Sequence, residues 1–308
     1  MRKEVLYSIK SPYRESLDIV GFKFGGDEKS IAVVGAMRGN EVQQMYVCSK
    51  LVAELKKLEA LGQISDKKGI MVVPCVNYYS MNIGKRFWTM DNTDINRMFP
   101  GYDLGETTQR IADGLFRKIQ GYEYGIQLAS FYQPGNFLPH VKIMETGFTN
   151  SELMKLFGLR FGIIRTPRPY DTTTLNYNWQ IWETKAFSMY TNATSTIDES
   201  SACEAVEGIL RFMSKTGIIT KKVHSGYETE IISEKSIKQI HSSAGGLFIS
   251  LVEMGTQVSE NDLLGKIINP LDSEISSEIR ADCSGIVYFE YSDPLINENA
   301  ICFKIIRD

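Results

Sequence analysis

Three short stretches hold the residues best placed to do chemistry. In the first, the apolar run Ile31-Ala-Val-Val34 passes into Gly35-Ala-Met-Arg38-Gly39-Asn-Glu41, so an always-protonated guanidinium stands three residues ahead of a carboxylate. In the second, Asp94-Ile-Asn96-Arg97-Met-Phe99-Pro100-Gly101, an amide and a guanidinium lie side by side, with Arg86 a little upstream. A planar fork of donors suits a carboxylate, so Arg38, Arg86, Asn96 and Arg97 form a candidate anion site, with an Arg97–Asp94 ion pair as the purely structural alternative. The third stretch, Gln127-Leu-Ala129-Ser130, closes a short apolar run that begins at Tyr124.

These stretches resemble the motifs of the succinylglutamate desuccinylase/aspartoacylase family of the zinc carboxypeptidase clan. The family's first metal motif, Gly-x-His-Gly-Asn-Glu (or Asp-Glu), binds zinc through its His and its final acid; here Arg38 replaces the His and Glu41 keeps the acid. Its second signature, Asp-x-Asn-Arg-x-Phe-Pro-Gly, matches residues 94–101 without a gap. That match implies Asn96 and Arg97 as the clamp on a substrate carboxylate, with Arg97 also able to polarise a scissile carbonyl. The third signature ends Asp-Leu-His-Ser or Asp-Leu-His-Thr, and here its Asp is Gln127 and its His, the last metal ligand, is Ala129. Relatives carry Thr-x-Glu with the Glu as general base; Asp198 aligns with it, one methylene shorter, and Glu199 is its neighbour.

Of the three inherited ligands only Glu41 remains, whereas a zinc site needs at least three N, O or S donors. A carboxylate buried without its dication is costly, and Arg38 is expected to restore the balance by a bidentate pair with Glu41. The expectation is therefore no metal cofactor and a non-catalytic family member that binds a small carboxylate or partners an active paralogue, in a homo- or hetero-oligomer. The alternative is a zinc-dependent hydrolase of a small N-acyl amino acid, its metal held by a rebuilt set such as Glu41, His140 and Asp198. His140 otherwise reads as a pocket or core residue that touches ligand. A third reading is a purely structural subunit.

The elements that must carry these groups follow from periodicity. Val5 to Ile9 and Asp18 to Phe24 read as an edge hairpin around Ser11-Pro12-Tyr13, Ile31 to Val34 and Ile70 to Pro74 as buried strands, and Glu41 to Leu61 as an amphipathic helix. Alternating strands and helices point to an α/β fold with a mixed, mostly parallel sheet flanked by helices over residues 1–222, and the family resemblance implies that it is zinc carboxypeptidase-like. Residues 148–182 read as an irregular rim rich in Arg, Tyr and Thr. From residue 223 to 308, short alternating runs starting at Glu230 to Ser233 predict a small all-β domain that resembles a lipoyl/biotinyl-like barrel. Its exposed hairpin, Asn269-Pro-Leu-Asp-Ser-Glu274, has no lysine to modify, which favours a shield or dimer contact.

Composition narrows the classes. A net charge of -3 gives no electrostatic case for nucleic acid or an anionic membrane. Five scattered cysteines without a Cys-x-x-Cys spacing read as reduced thiols of a cytoplasmic protein, and no apolar leader or membrane-length run is visible.

Overall fold

A computed structural model of the chain describes residues 1–10 and 15–308; the turn expected at Ser11-Pro12-Tyr13 lies outside the described residues. The strands and helices follow in the order β1 Arg2–Ile9, β2 Leu17–Gly25, β3 Glu28–Ala36, α1 Val42–Ala60, β4 Lys68–Cys75, α2 Tyr78–Met81, α3 Thr107–Ile119 and β5 Tyr124–Leu128. They continue with β6 Asn136–Phe137, β7 His140–Met144, β8 Phe161–Arg165, α4 Leu175–Ile181, β9 Lys185–Tyr190, α5 Glu199–Lys215 and β10 Glu230–Ser233. All of these strands but β6 join one nine-stranded sheet in the order β1-β2-β4-β3-β5-β9-β7-β8-β10. β3 pairs in parallel with β4 and β5, β5 with β9 and β7 with β8, while β1–β2, β2–β4 and β7–β9 are antiparallel. The sheet is the mixed, mostly parallel one that the alternation implies.

Strand β3 shows why both faces are covered. Its side chains alternate, so Ile31 and Val33 enter one core with Val47, Leu51 and Leu55 of α1 and Ala205 and Ile209 of α5. Ala32 and Val34 enter the other, with Ile111 and Leu115 of α3 and Leu175 and Trp179 of α4. A strand buried on both faces reads as a continuous apolar run, which is how Ile31 to Val34 appears in the sequence. Where β3 ends, Gly39 packs so closely that a Cβ there would strike the Lys85 carbonyl and the Ser80–Met81 backbone. The loop after β3 and the long loop after α2 are thus held against each other.

Two expectations change. The segment 148–182 is not irregular throughout: it holds β8, whose Phe161 to Ile163 are buried, and α4, which Thr174 caps by accepting from Tyr177 N. Its polar residues masked a short buried strand and a short helix. Glu230–Ser233 belongs to the nine-stranded sheet, not to the β module. The chain accordingly divides into a first unit of residues 1–130 and 139–231 and a second of 131–138 and 232–308.

The second unit contains β6 and β11 Ile237–His241, β12 Gly246–Ser250, β13 Gln257–Val258, β14 Leu263–Ile268, β15 Ile275–Arg280, β16 Gly285–Glu290, β17 Leu295–Ile296 and β18 Ile301–Arg307. They form the sheets β11-β18-β16-β13, with β6 on β16, and β15-β14-β12-β17, paired antiparallel around Phe248, Leu264, Val287 and Phe303. Within this unit the Lys304 ammonium lies 3.7 Å from the centre of the Phe131 ring, a cation–π contact in a buried setting.

Candidate functional site

The site begins where β3 ends. Glu41, the residue before α1, is fully buried. Its Oε2 accepts from the backbone N–H groups of Met37 (2.8 Å) and Arg38 (3.0 Å), and its Oε1 accepts from Arg38 Nη1 (3.0 Å) and Ser130 Oγ (2.5 Å). A carboxylate offers about four lone-pair positions, so these four donors leave none open.

Arg38 is divided between two carboxylates. One N–H goes to Glu41, while Nε (3.0 Å) and Nη2 (2.9 Å) both donate to Asp94 Oδ2. The bidentate Arg38–Glu41 pair expected from the sequence is therefore a bridge, because a guanidinium fork reaches two acceptors at once and Asp94 lies within its span. Burial works against the Arg38 charge, but Glu41 and Asp94 outweigh it and hold the guanidinium protonated above its usual range. The other Asp94 oxygen, Oδ1, accepts from Asn96 N at 3.0 Å, so the same carboxylate closes the turn of the second motif.

Within that turn Asn96 and Arg97 separate. Asn96 is buried, and its Oδ1 accepts from Gln127 Nε2 at 3.0 Å and from Leu175 N at 3.3 Å, which ties the loop to β5 and α4. Gln127, at the family's Asp position, thus serves Asn96. Arg97 makes no ion pair with Asp94; its Nη1 donates to the Tyr170 carbonyl and lies 3.8 Å from Asp171, and its guanidinium sits 5.4 Å from the Tyr170 ring centre. Its side chain remains 37% exposed, so part of the fork faces solvent.

Arg86 differs from both. Its guanidinium is half-buried and lies 5.7 Å from the Phe87 ring centre, yet among the described residues no acceptor is hydrogen-bonded to it and no carboxylate pairs with it. Burial and then the nearby Arg38 charge push its pKa down, while Glu41 and Asp94 partly offset them. A desolvated cation beside another cation is a place for an anion.

The remaining candidates are occupied elsewhere. Asp198 is the N-cap of α5: Oδ1 accepts from Ser200 N (3.0 Å) and Ser201 N (3.3 Å), and Oδ2 from Asn192 Nδ2 (2.6 Å). An Asp directly ahead of Glu-Ser-Ser is also a capping pattern, and that local role is the one observed. His140 is fully buried on β7, stacked on Tyr190 with 4.7 Å between ring centres and 6° between planes. His224 Nδ1 accepts from Gly226 N, and His241 Nδ1 lies 2.9 Å from the Asn299 carbonyl. The five cysteines are free; burial pushes Cys75, at the end of β4, up to about 12. Two participants were missed from sequence. Asp94 was read only as a partner for Arg97, and Ser130, beside the degenerate third signature, was not weighed against Glu41.

The family's zinc does not fit these residues. The position of one ligand holds a cation, another holds Ala129, and the retained Glu41 has its lone pairs filled. Among the described residues no group of three or more His, Cys, Asp or Glu side chains converges.

The sheet order, with the loop after β3 set against the Asn-Arg loop, defines an α/β fold with a mixed sheet and helices on both faces. The model of the succinylglutamate desuccinylase/aspartoacylase catalytic domain matches residues 27–133. A curated relative, the N-alpha-acetyl-L-2,4-diaminobutyric acid deacetylase of Halomonas elongata, is 28% identical over 94 residues, which is 30% of this chain and 26% of the relative. The likeness in fold is wider. A succinylglutamate desuccinylase of Silicibacter sp. TM1040 superposes with a TM-score of 0.82 at 19% identity, covering 99% of this chain and 93% of that one. The product-bound ectoine utilization protein EutE (DoeB) of Ruegeria pomeroyi gives 0.80 at 20% identity over 95% and 90%. Among the described residues no helix is long and apolar enough to cross a membrane.

Proposed function

We propose that this chain is a non-catalytic family member that binds a small carboxylate-bearing molecule at the loop carrying Arg86, Asn96 and Arg97, alone or as the partner of an active paralogue. The observation that carries the reading is Arg86, a half-buried guanidinium with no acceptor among the described residues, set beside an ion-pair network that is already complete. Asn96 supports the turn and Arg97 offers its exposed edge. The hairpin Asn269-Pro-Leu-Asp-Ser-Glu274 lacks a lysine, which supports a covering or contact role for a barrel-like second unit over a swinging-arm role. Cytoplasmic residence and an oligomeric state belong to the same reading.

A second reading is favoured by the relatives. The Halomonas protein is named as a deacetylase and the solved neighbours include a desuccinylase, so a zinc-dependent deacylase of a small N-acyl amino acid is the natural rival. Metal analysis after growth and purification with added zinc, on wild type and Glu41→Ala, separates the two. The first reading expects no stoichiometric zinc in either sample. About one zinc per chain, lost in Glu41→Ala, would overturn it and direct assays to N-acetylated diamino acids. Calorimetric titration with acetate then tests binding itself, which Arg86→Ala should abolish.

A further inference from the structure

We propose that the outer face of the sheet β15-β14-β12-β17 is a dimer interface, covered by the same face of a second copy of this chain. The inference gives a surface to the oligomeric state in the reading above and does not depend on the carboxylate site.

The face follows from strand alternation. Phe248 of β12, Ile267 of β14, Ile279 of β15 and Ile296 of β17 enter the core of the second unit, so the side chains between them point out. Register sets four of these in one row across all four strands. Leu295 lies beside Leu247, Leu247 beside Ile268 and, where β15 bulges at Ser276, Ile268 beside Ile275. Leu295 is 64% exposed and Ile275 56%, and Leu247 and Ile249 on β12 are exposed between them. Beyond the Ile268–Ile275 pair, the hairpin 269–274 adds Leu271, which is 92% exposed.

Two properties of the face select a second copy as its cover. The first is area. These side chains expose roughly 600 Å², the upper end for the largest apolar patch on a monomer, and two copies would remove roughly 1,200 Å² from water, enough for a specific interface. The second is charge. The neighbouring row is Ile249, Lys266 and Glu278, which carries one charge of each sign. Glu278 pairs with Arg280 at 2.7 Å, whereas Lys266 has no ion pair among the described residues. A strongly charged partner gains nothing from such a face, but a copy turned about a two-fold axis does. With the axis along β14, Ile268 meets its own copy and Leu247 lies over Ile275 of the second copy. Lys266 then stands one strand spacing, about 4.8 Å, from Glu278 of the second copy. A net charge of -3 adds little repulsion between the two chains.

Sedimentation equilibrium of the full chain tests this on wild type, Ile275→Asp, Lys266→Glu and the double variant Lys266→Glu with Glu278→Lys, with circular dichroism to confirm that each folds. The expected result is a wild-type dimer and a monomer for Ile275→Asp. Lys266→Glu should weaken the dimer more than about tenfold, and the double variant should recover most of that loss. A wild type that stays monomeric at every concentration overturns the proposal together with the oligomeric reading. An oligomer that Ile275→Asp leaves intact overturns this face alone, as does a double variant no tighter than Lys266→Glu. Acetate titration of wild type scores the carboxylate reading separately.

Discussion

The end of β3 and the loop after α2 treat their charges in opposite ways, although they lie against each other. At the end of β3 every acceptor position of Glu41 has a donor, and the Arg38 guanidinium is shared between Glu41 and Asp94. On the loop, Arg86 has no hydrogen-bonded acceptor or paired carboxylate among the described residues and Arg97 is only partly engaged. A network whose valences are filled stabilises the fold. Groups left open in a half-buried setting cost stability and so point to a ligand that completes them.

Breaking the closed half should have the largest effect. Arg38→Met leaves Glu41 buried without its counter-charge and Asp94 without its partner, and urea unfolding should show a loss of about 3–5 kcal/mol. Adding Glu41→Gln should recover part of that loss. A change below about 1 kcal/mol for Arg38→Met would show that the network is not what holds the loop. The open half should behave in reverse: Arg86→Ala is expected to leave Tm unchanged or slightly higher while weakening acetate binding more than about tenfold by calorimetry. A large drop in Tm would instead make Arg86 a structural residue.

Asp198 sharpens the contrast from outside both halves. As a helix cap, Asp198→Ala should cost about 1 kcal/mol, up to about 2, with carboxylate affinity unmoved; a selective loss of binding would return it to the site. The smallest effect is expected at Glu204, whose carboxyl is pushed up mainly by burial and further by Glu207 and Asp198, against the pull of Arg211. A carboxyl with a raised folded-state pKa contributes stability below its unfolded pKa and loses it as pH rises through the folded value. Glu204→Gln should therefore raise Tm slightly at pH 7, and the gain should vanish as pH falls through the usual carboxylate range. A gain independent of pH would assign the effect to packing.

Much of the fold was legible because its signals are local. The run Ile31 to Val34, the glycines after it and the long amphipathic helix fix one strand–loop–helix unit, and residues 94–101 repeat a whole signature. The lack of metal-ligating side chains at Arg38 and Ala129 was equally plain, since it is read at single positions. What escaped was pairing at a distance. Arg38 and Asp94 are 56 residues apart, Ser130 and Glu41 are 89 apart, and nothing in either neighbourhood announces the other. The polar run 148–182 hid β8 and α4 because Arg, Thr and Asn mask a strand of five residues and a helix of seven. Asp198 illustrates the converse, where an alignment to a catalytic position and a capping pattern compete for the same residue.

The double allegiance of Arg38 also bears on how the chain can change over time. Replacing Arg38 by His alone would strip one donor from Glu41 and two from Asp94, and with Ala129 offering no donor atom the change carries a penalty without a gain. The bridge acts as a ratchet: because one guanidinium serves two carboxylates from separate loops, no single substitution at residue 38 can release one of them without unpairing the other.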